Sequence, residues 1–349
     1  MKNFTITLFF IFISFSSQSQ LTNWTALNLN APLQHYTRSI SVVDSNIIWG
    51  LIFENNFFIG EQFFKTTDGG QTFETGILPF SVDNGSAYSI HALDENIAFT
   101  ATSTSSGGIV EGVHRTIDGG QNWELILDNQ ANNMFSTWVY FFDTQNGVVQ
   151  CTEEDPLTSV FYYTEDGGDT WTKSISEFEI NSIFTRGGND GFDAVGDTIW
   201  SSNVNDVIYK STDKGETWEA YNTGLNSSNV TDIAFKDNLN GLAVAPINTN
   251  PFVDNILIQT SDGGETWTEI VLQFPNIISQ GNTIEYIPGT AGSYIIANGD
   301  AGFTPNSFGY TLDNGVTWVT LKRLSICIVQ IFFHLHWVLA GRILFLEAY

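Results

Sequence analysis

Residues 260–267 read Thr-Ser-Asp-Gly-Gly-Glu-Thr-Trp, and the same pattern occurs six times in the chain. Every copy has Asp at its third position, Gly at its fifth and an aromatic residue at its eighth. The intervals between successive aspartates are 50, 48, 47, 49 and 51 residues, which is too even for chance. A period of this length predicts a repeat protein in which each repeat is one structural unit.

The residue types within the pattern predict a tight turn between two strands. An Asp carboxylate accepts N–H bonds from the residues that follow it, and Gly suits a positive φ angle that a Cβ opposes. Strand-forming residues precede each copy, as in residues 256–259, so each copy is the loop of a β-hairpin. We call the copies the Asp turns, and their predicted structural residues are Asp68 and Gly70, Asp118 and Gly120, Asp166 and Gly168, Asp213 and Gly215, Asp262 and Gly264, and Asp313 and Gly315.

A second unit of strand, turn and strand precedes each Asp turn. In the fifth repeat it comprises residues 230–235 and 241–244, which are rich in apolar and β-branched residues. Each repeat therefore contains about four short strands, which is the content of one blade of a β-propeller.

The Asp turns resemble the repeats of the BNR or Asp-box family, whose pattern is Ser/Thr-x-Asp-x-Gly-x-Thr/Asn-Trp/Phe. Together with the upstream unit, the repeats resemble propellers of the photosystem II assembly-factor type, which also occur in secreted bacterial proteins. The resemblance extends over about residues 37–320. It implies an all-β propeller with the Asp turns on the rim, away from the usual binding face. It implies little about function, because one fold supports many activities.

The ends of the chain predict a seventh blade without an Asp turn. Residues 322–349 again show strand character, but a seventh Asp turn does not follow them. Residues 23–28 match residues 217–222, which include the end of the fourth Asp turn and its following strand, so residues 22–29 would supply the outer strand. Such a closure leaves no exposed sheet edge, and we predict a seven-bladed β-propeller with a six-bladed one as the alternative. The composition changes at Lys322, so we treat residues 322–349 as an atypical tail. A truncated or altered last blade would have such a composition.

The N-terminus has the features of a bacterial-type signal peptide. Lys2 is a basic n-region, residues 4–15 are apolar, and small residues precede a predicted cleavage site after Ser19. We therefore assign residues 1–19 to a signal peptide and residues 20–349 to a single propeller domain. We expect a secreted, periplasmic or cell-surface protein that is not stably inserted in a membrane after signal removal.

The chain is strongly acidic, with 38 Asp and Glu against 12 Lys and Arg and a formal net charge of −26. Such a charge repels phosphate backbones, so nucleic acid is excluded as a partner, whereas cationic protein surfaces stay open. The two cysteines, Cys151 and Cys327, are too few for a disulfide framework. They would lie in blades that are not neighbours, so both thiols are predicted to be free.

A sialidase is the sharpest enzymatic alternative, because sialidases share the Asp-box. That family needs three arginines for the substrate carboxylate, and this chain has five arginines in all. Arg115 directly precedes an Asp turn, and Arg323 and Arg342 lie in the atypical tail. A glycanase with two carboxylates is harder to exclude, since acidic residues are abundant. Enzymatic activity is left open, and no catalytic residue is predicted.

Signals for a metal or cofactor are weak. His334 and His336 would share one strand face, but no third ligand is near them in the sequence. Asp190, Asp193 and Asp197 stand in a Gly-rich stretch without the spacing of an EF-hand loop, so calcium is a weak alternative there. We predict that the protein has no cofactor and no metal site.

Binding is the default role for the open face of the propeller. The loops on that face hold aromatic and acidic residues that suit contacts with a protein or a glycan. The candidate binding residues are Phe57, Glu153, Glu154, Asp155 and Phe252. We predict a monomeric binding or assembly scaffold, and the alternative is a carbohydrate-active glycoside hydrolase of the sialidase or glycanase kind.

Overall fold

A computed structural model describes most of the repeat region of the chain. The described residues are 23–28, 35–54, 59–79, 85–104, 111–132, 134–154, 157–175, 191–203, 206–225, 230–249, 252–271, 282–298, 308–321, 332–335 and 342–347. They form strands and turns with one short helix, α1 (Asn129–Asn132). No helix in these ranges is long and apolar enough to cross a bilayer. The predicted signal peptide lies outside them.

Consecutive groups of four antiparallel strands form the blades of a β-propeller. Blade 1 contains β2 (His35–Val42), β3 (Ile48–Glu54), β4 (Ile59–Thr66) and β5 (Glu74–Ile77). Blade 2 contains β6 (Gly85–Ala92), β7 (Ala98–Thr104), β8 (Gly112–Thr116) and β9 (Glu124–Asp128). Blade 3 contains β10 (Met134–Phe141), β11 (Gly147–Glu154), β12 (Leu157–Thr164) and β13 (Thr172–Lys173).

The second half of the chain repeats this arrangement. Blade 4 contains β14 (Phe192–Val195), β15 (Thr198–Asn203), β16 (Val207–Ser211) and β17 (Glu219–Asn222). Blade 5 contains β18 (Asp232–Phe235), β19 (Gly241–Thr249), β20 (Phe252–Thr260) and β21 (Thr268–Ile270). Blade 6 contains β22 (Asn282–Tyr286), β23 (Tyr294–Asn298), β24 (Phe308–Thr311) and β25 (Val319–Leu321).

The first strands of the blades are the inner strands, and they face a central channel. Successive inner strands contact each other, as β6 contacts both β2 and β10. Each Asp turn joins the third strand to the outer fourth strand and bonds to the turn between the first two strands. The N–H of Gly69, for example, donates to the carbonyl of Asn46 at 3.0 Å. Both turns therefore lie on one side of the propeller, the Asp-turn side, and the other connections lie on the loop side.

Apolar side chains fill the spaces between consecutive blades. The cluster between blades 2 and 3 includes Phe99 and Phe141, whose rings stack with centroids 3.5 Å apart. Trp200 and Phe235 stack in the same way between blades 4 and 5, at 3.6 Å. Burial of such large rings is the main source of stability, and it couples each blade to its neighbours.

The prediction of an all-β propeller is confirmed, but the predicted seventh blade is wrong, because the described residues form six blades. The described part of the tail supplies two strands, β26 (Phe332–Leu335) and β27 (Arg342–Glu347), which do not pair with each other. β26 pairs in parallel with β2 of blade 1 and contacts β22 of blade 6. Among the described residues, the junction between the last and the first blade therefore contains one added strand and not a complete sheet.

The N-terminal strand pairs with the tail, but the pairing is parallel, whereas neighbouring strands within a blade are antiparallel. β1 (Asn23–Asn28) runs parallel to β27, with Trp24 opposite Ile343. The fourth strand of each blade runs antiparallel to the third, as β5 does to β4. A hairpin turn imposes that direction inside a blade, but no turn connects the two ends of the chain. β1 and β27 consequently form a separate two-stranded sheet.

Candidate functional site

Each Asp turn is closed by hydrogen bonds to its carboxylate. In the fifth repeat, Oδ1 of Asp262 accepts the N–H of Thr266 at 2.9 Å, and Oδ2 accepts its hydroxyl at 2.5 Å. The hydroxyl of Thr260 donates to Oδ1 and accepts the N–H of Gly264. Burial by itself raises the pKa of Asp262. The hydrogen bonds lower the pKa by more than burial raises it, so the resulting pKa is about 2. The fifth-position glycines of the six turns have φ between 84° and 97°, where a side chain is disfavoured.

Basic side chains connect the Asp turns of neighbouring blades. Nζ of Lys65 donates to the carbonyl of Gly119 in the next Asp turn, at 3.1 Å. Nη1 of Arg115 donates to the carbonyl of Gly167 at 2.9 Å and pairs with Asp169 at 3.0 Å. Arg115 is thus held by the Asp turn of blade 3.

Serine side chains connect the inner strands of the first three blades. The hydroxyl of Ser39 on β2 accepts the N–H of Ile90 on β6 at 3.1 Å. The hydroxyl of Ser89 on β6 accepts the N–H of Val139 on β10, also at 3.1 Å. Inner strands of different blades do not form a ladder with each other, and backbone N–H groups removed from water need acceptors. The serines supply those acceptors.

Carboxylates take this role between blades 4 and 5 and between blades 5 and 6. Oδ2 of Asp193 on β14 accepts the N–H of Phe235 on β18 at 2.5 Å. Oδ2 of Asp232 on β18 accepts the N–H of Ile284 on β22 at 2.9 Å. Burial raises the pKa of Asp193 to about 7 and that of Asp232 to about 8, although the hydrogen bonds oppose this shift. Both groups therefore change their charge near neutral pH.

A cavity of about 370 Å³ lies where the inner strands of blades 3 to 6 end on the Asp-turn side. Its volume is within the range of small-ligand sites or of a site for one large side chain. The lining residues that carry chemistry are Tyr140, Asp193, Phe235, Lys236, Glu285 and Tyr286.

Neighbouring groups hold the two tyrosines of the cavity in place. The ring of Tyr140 lies 4.3 Å from that of His91. Burial raises the pKa of Tyr140, and the charge of Asp193 raises it further. The hydroxyl of Tyr286 donates to the carbonyl of Thr290 at 2.5 Å, and its ring lies 5.2 Å from that of Tyr294. Tethered aromatic groups beside carboxylates can bind cations and hydrogen-bond donors.

Three of the five predicted binding residues, Glu153, Glu154 and Phe252, lie at the opposite end of the blades. Oε1 of Glu153 on β11 accepts hydrogen bonds from Nζ of Lys173 at 2.7 Å and from the hydroxyl of Tyr162 at 3.4 Å, all within blade 3. Glu154 ends β11 and Phe252 begins β20. Phe57 and Asp155 lie outside the described residues, so the predicted loop-side site stays a prediction.

The weak calcium alternative receives no support from the two aspartates that the structure describes. Asp193 is engaged with backbone N–H groups, whereas Asp197 lies on an exposed turn, 3.6 Å from Nζ of Lys214. Asp190 and His336 lie outside the described residues, and His334 belongs to β26. Within the described ranges no three His, Cys, Asp or Glu side chains are grouped as metal ligands would be.

Cys151 is a buried, free thiol. Burial raises its pKa to about 12, so it is protonated at physiological pH and unsuited to nucleophilic chemistry. Cys327 lies outside the described residues.

Most of the cavity residues were not identifiable from the sequence. Asp193 stood out only as a calcium candidate, and Tyr140, Lys236, Glu285 and Tyr286 were missed. One signal was available, because Asp193 interrupts the otherwise apolar strand β14. A carboxylate in a short inner strand has a desolvation cost, which indicates a specific role. The other residues are separated by one or more repeats, so no local pattern connects them.

The sequence matches no protein-family model and no curated protein. The fold resembles solved propellers at low sequence identity. A structure of YCF48 bound to D1 peptide aligns with a TM-score of 0.55 and 15% identity, over 83% of this chain and 83% of that chain. The GH74 xyloglucanase from Xanthomonas campestris aligns with a TM-score of 0.58 and 12% identity, over 80% of this chain and 46% of that chain.

Identities this low support the propeller fold and do not transfer an activity. The chain spans about half of the xyloglucanase, whereas it spans most of YCF48. The chemistry of this chain has to be argued from its own residues.

Proposed function

We propose that the protein is a secreted binding scaffold that holds a segment of a partner protein at the Asp-turn end of its channel. The observation that carries this proposal is the cavity formed by blades 3 to 6, with Tyr140 and Tyr286 beside carboxyl groups. Rigid aromatic side chains next to a few polar groups are typical of sites that bind protein segments.

Two further points support a protein partner. YCF48, which has a similar propeller over most of its length, was solved with a D1 peptide bound. The described ionisable groups around the channel also have structural partners, since Asp193 and Asp232 each bond to backbone N–H groups of the next inner strand. These bonds hold the Asp193 carboxyl in a fixed position in the cavity, and a pre-positioned acceptor suits the binding of a partner segment.

Peptides selected from a random display library against the purified protein test this function. We expect selected peptides to bind the native protein and to lose at least about tenfold in affinity on Tyr286→Ala, because truncation of a central aromatic removes its contacts. Tyr221→Ala, on the outer strand β17, is the matched control and should not change binding. Peptides that bind equally well to both variants would place the interaction elsewhere and refute the proposal.

A glycoside hydrolase is the second candidate, because Asp193 and Glu285 line one cavity and Asp193 has a pKa of about 7. Glycoside hydrolysis uses two carboxyl groups, and the one that acts as the general acid has a raised pKa. Turnover of xyloglucan or other polysaccharides, abolished by both Asp193→Asn and Glu285→Gln in folded protein, would replace the scaffold with this enzyme.

A further inference from the structure

The cavity at the Asp-turn end of the channel has the charge and shape to recognise a specific chemical group. Its carboxyls, Asp193 and Glu285, come from inner strands of different blades, β14 and β22. The cavity also contains Lys236, whose charge acts on the adjacent Asp237 and helps to lower its pKa. When both carboxyl groups are ionised, two negative charges and one positive charge line the cavity.

The Asp193 carboxylate keeps lone pairs that can accept hydrogen bonds from a ligand. Oδ1 accepts the N–H of Ala194 at 2.7 Å, and Oδ2 accepts that of Phe235 at 2.5 Å. Each oxygen of a carboxylate has two lone pairs, so each keeps one after these bonds. A ligand that presents several donors in one plane would satisfy them.

Aromatic side chains also line this cavity. Tyr140 and Tyr286 are held in place by contacts outside the cavity, with His91 and Thr290 respectively. Tyrosine faces attract cations, and a guanidinium stacks on them best because it is planar and weakly hydrated. The formal charge of −26 for the whole chain raises the local concentration of any cation near this site.

We propose that the cavity is a guanidinium site, in which an arginine side chain of the bound protein segment inserts between the tyrosines and pairs with Asp193 and Glu285. This inference rests on the scaffold function and specifies the side chain that the scaffold recognises. An ammonium or an uncharged group would make fewer of the same bonds, since it lacks the planar fork of donors.

Protonation is coupled to this binding. A cation is bound by the ionised form of Asp193, and that form is populated above a pH of about 7. Binding should therefore release a proton near neutral pH, and affinity should rise as pH increases from about 6 to about 8. The charged and titratable groups around Asp193 are Asp232, whose pKa the charge of Asp193 helps to raise, the tyrosines Tyr140 and Tyr294, and Glu285 and Lys236 of the cavity lining.

The test compares two probes that differ in charge but hardly in shape, N-acetyl-arginine methylamide and N-acetyl-citrulline methylamide. Their binding to the whole protein is measured by calorimetry and by NMR at several pH values. We expect the arginine probe to bind at least about tenfold more tightly than the citrulline probe at pH 8. Equal binding of the two probes would overturn the guanidinium site.

Two variants locate the binding. Glu285→Gln should lower the affinity for the arginine probe about tenfold, because it removes one charged acceptor. Glu269→Gln removes the same charge from the exposed outer strand β21 and should leave the affinity unchanged. A similar loss in both variants would show that only net charge matters, and the site would be refuted. Thermal unfolding of each variant confirms that it is folded.

Asp193→Asn gives an independent readout. It keeps a side-chain oxygen for the N–H of Phe235 but removes one of two neighbouring groups that titrate near neutral pH, so the rise in affinity with pH should become much shallower. An unchanged pH profile would contradict the role of Asp193. If display-selected peptides bind in a Tyr286-dependent way without preferring arginine, the guanidinium site fails while the scaffold stands. If no peptide binds at the cavity, the scaffold itself fails.

Discussion

The carboxylate of Asp193 accepts the backbone N–H of Phe235 and so connects the inner strands of blades 4 and 5 across 42 positions of sequence. Asp232 and Ile284 repeat this relationship between blades 5 and 6. The corresponding acceptors between blades 1, 2 and 3 are serine hydroxyls, such as that of Ser39, which do not titrate. The connections between blades 4 and 5 and between blades 5 and 6 therefore use groups whose charge depends on pH.

The first prediction concerns stability between about pH 5 and pH 9. The pKa of Asp193 is about 7 in the folded protein against 3.8 for an ordinary Asp, so the folded state retains a proton that the unfolded state has lost. The free energy of unfolding is then highest below the pKa of the unfolded state, 3.8. It falls as pH rises from there to the folded-state pKa of about 7, and it levels off above that pH. Asp193 alone should account for roughly 2–4 kcal/mol of this decrease.

Urea unfolding of the native protein and of Asp193→Asn across this pH range measures the effect. The variant should show a shallower decrease, because one titrating group is gone while the acceptor for Phe235 stays. Asp197→Asn, four residues along the chain on an exposed turn, is the control and should keep the native slope. An Asp193→Asn slope equal to that of the native protein would contradict this prediction.

The second prediction concerns the Asp turns. Asp262→Ala removes the acceptors for Thr266 and Thr260, so it should lower the free energy of unfolding by about 1–2 kcal/mol. Glu269→Ala removes one charge from the neighbouring outer strand and should have a much smaller effect. Binding of selected peptides should survive below the melting temperature. Loss of binding without a change in melting would instead show that the turn contacts the partner.

The third prediction concerns acid. Hydrogen bonds from Thr170 hold the pKa of Asp166 at about 2, below the ordinary value of 3.8. The stability that this turn contributes is present above about pH 4 and is lost as pH falls through about 2. Thermal unfolding between pH 5 and pH 2 should therefore show a steep acid decrease that is less steep in Asp166→Asn. Glu165→Gln, next to it in the chain, should keep the native profile, and the same flattening in both variants would refute the assignment.

The fourth prediction concerns Cys151. The thiol is fully buried and its pKa is raised to about 12, so iodoacetamide should not modify it in the native protein at neutral pH. In a Cys327→Ser variant the reagent should react with one thiol only after unfolding in concentrated guanidinium. Fast modification of the folded protein would contradict the burial of Cys151.

The fifth prediction concerns the two ends of the chain. β1 pairs with β27 and belongs to none of the six blades, so deleting residues 20–30 should lower the melting temperature only slightly. Deleting residues 322–349 removes β26 and exposes an edge of β2, so it should be more destabilising. Thermal unfolding and limited proteolysis of both deletions provide the comparison. A larger loss on the N-terminal deletion would show that this strand closes the ring.

Features that depend on neighbouring residues could be predicted from the sequence. The Asp turn is an example, because Asp262, Gly264 and Thr266 are all within a few positions and their hydrogen bonds close locally. The strands of each repeat follow from the same reasoning, since their apolar residues are bounded by these turns. The positions of the six blades that carry an Asp turn therefore follow from the amino-acid pattern alone.

The number of blades and the cavity were decided by the tertiary structure. Pairing between the chain ends has no turn to set its direction, so the match of residues 23–28 to a fourth strand gave the correct partner and the wrong orientation. Tyr140, Asp193 and Glu285 meet only because the ring places the ends of inner strands from different blades side by side. The sequence alone determined the repeating unit through local hydrogen bonds, whereas packing between blades determined how many units close the ring and which side chains share its channel.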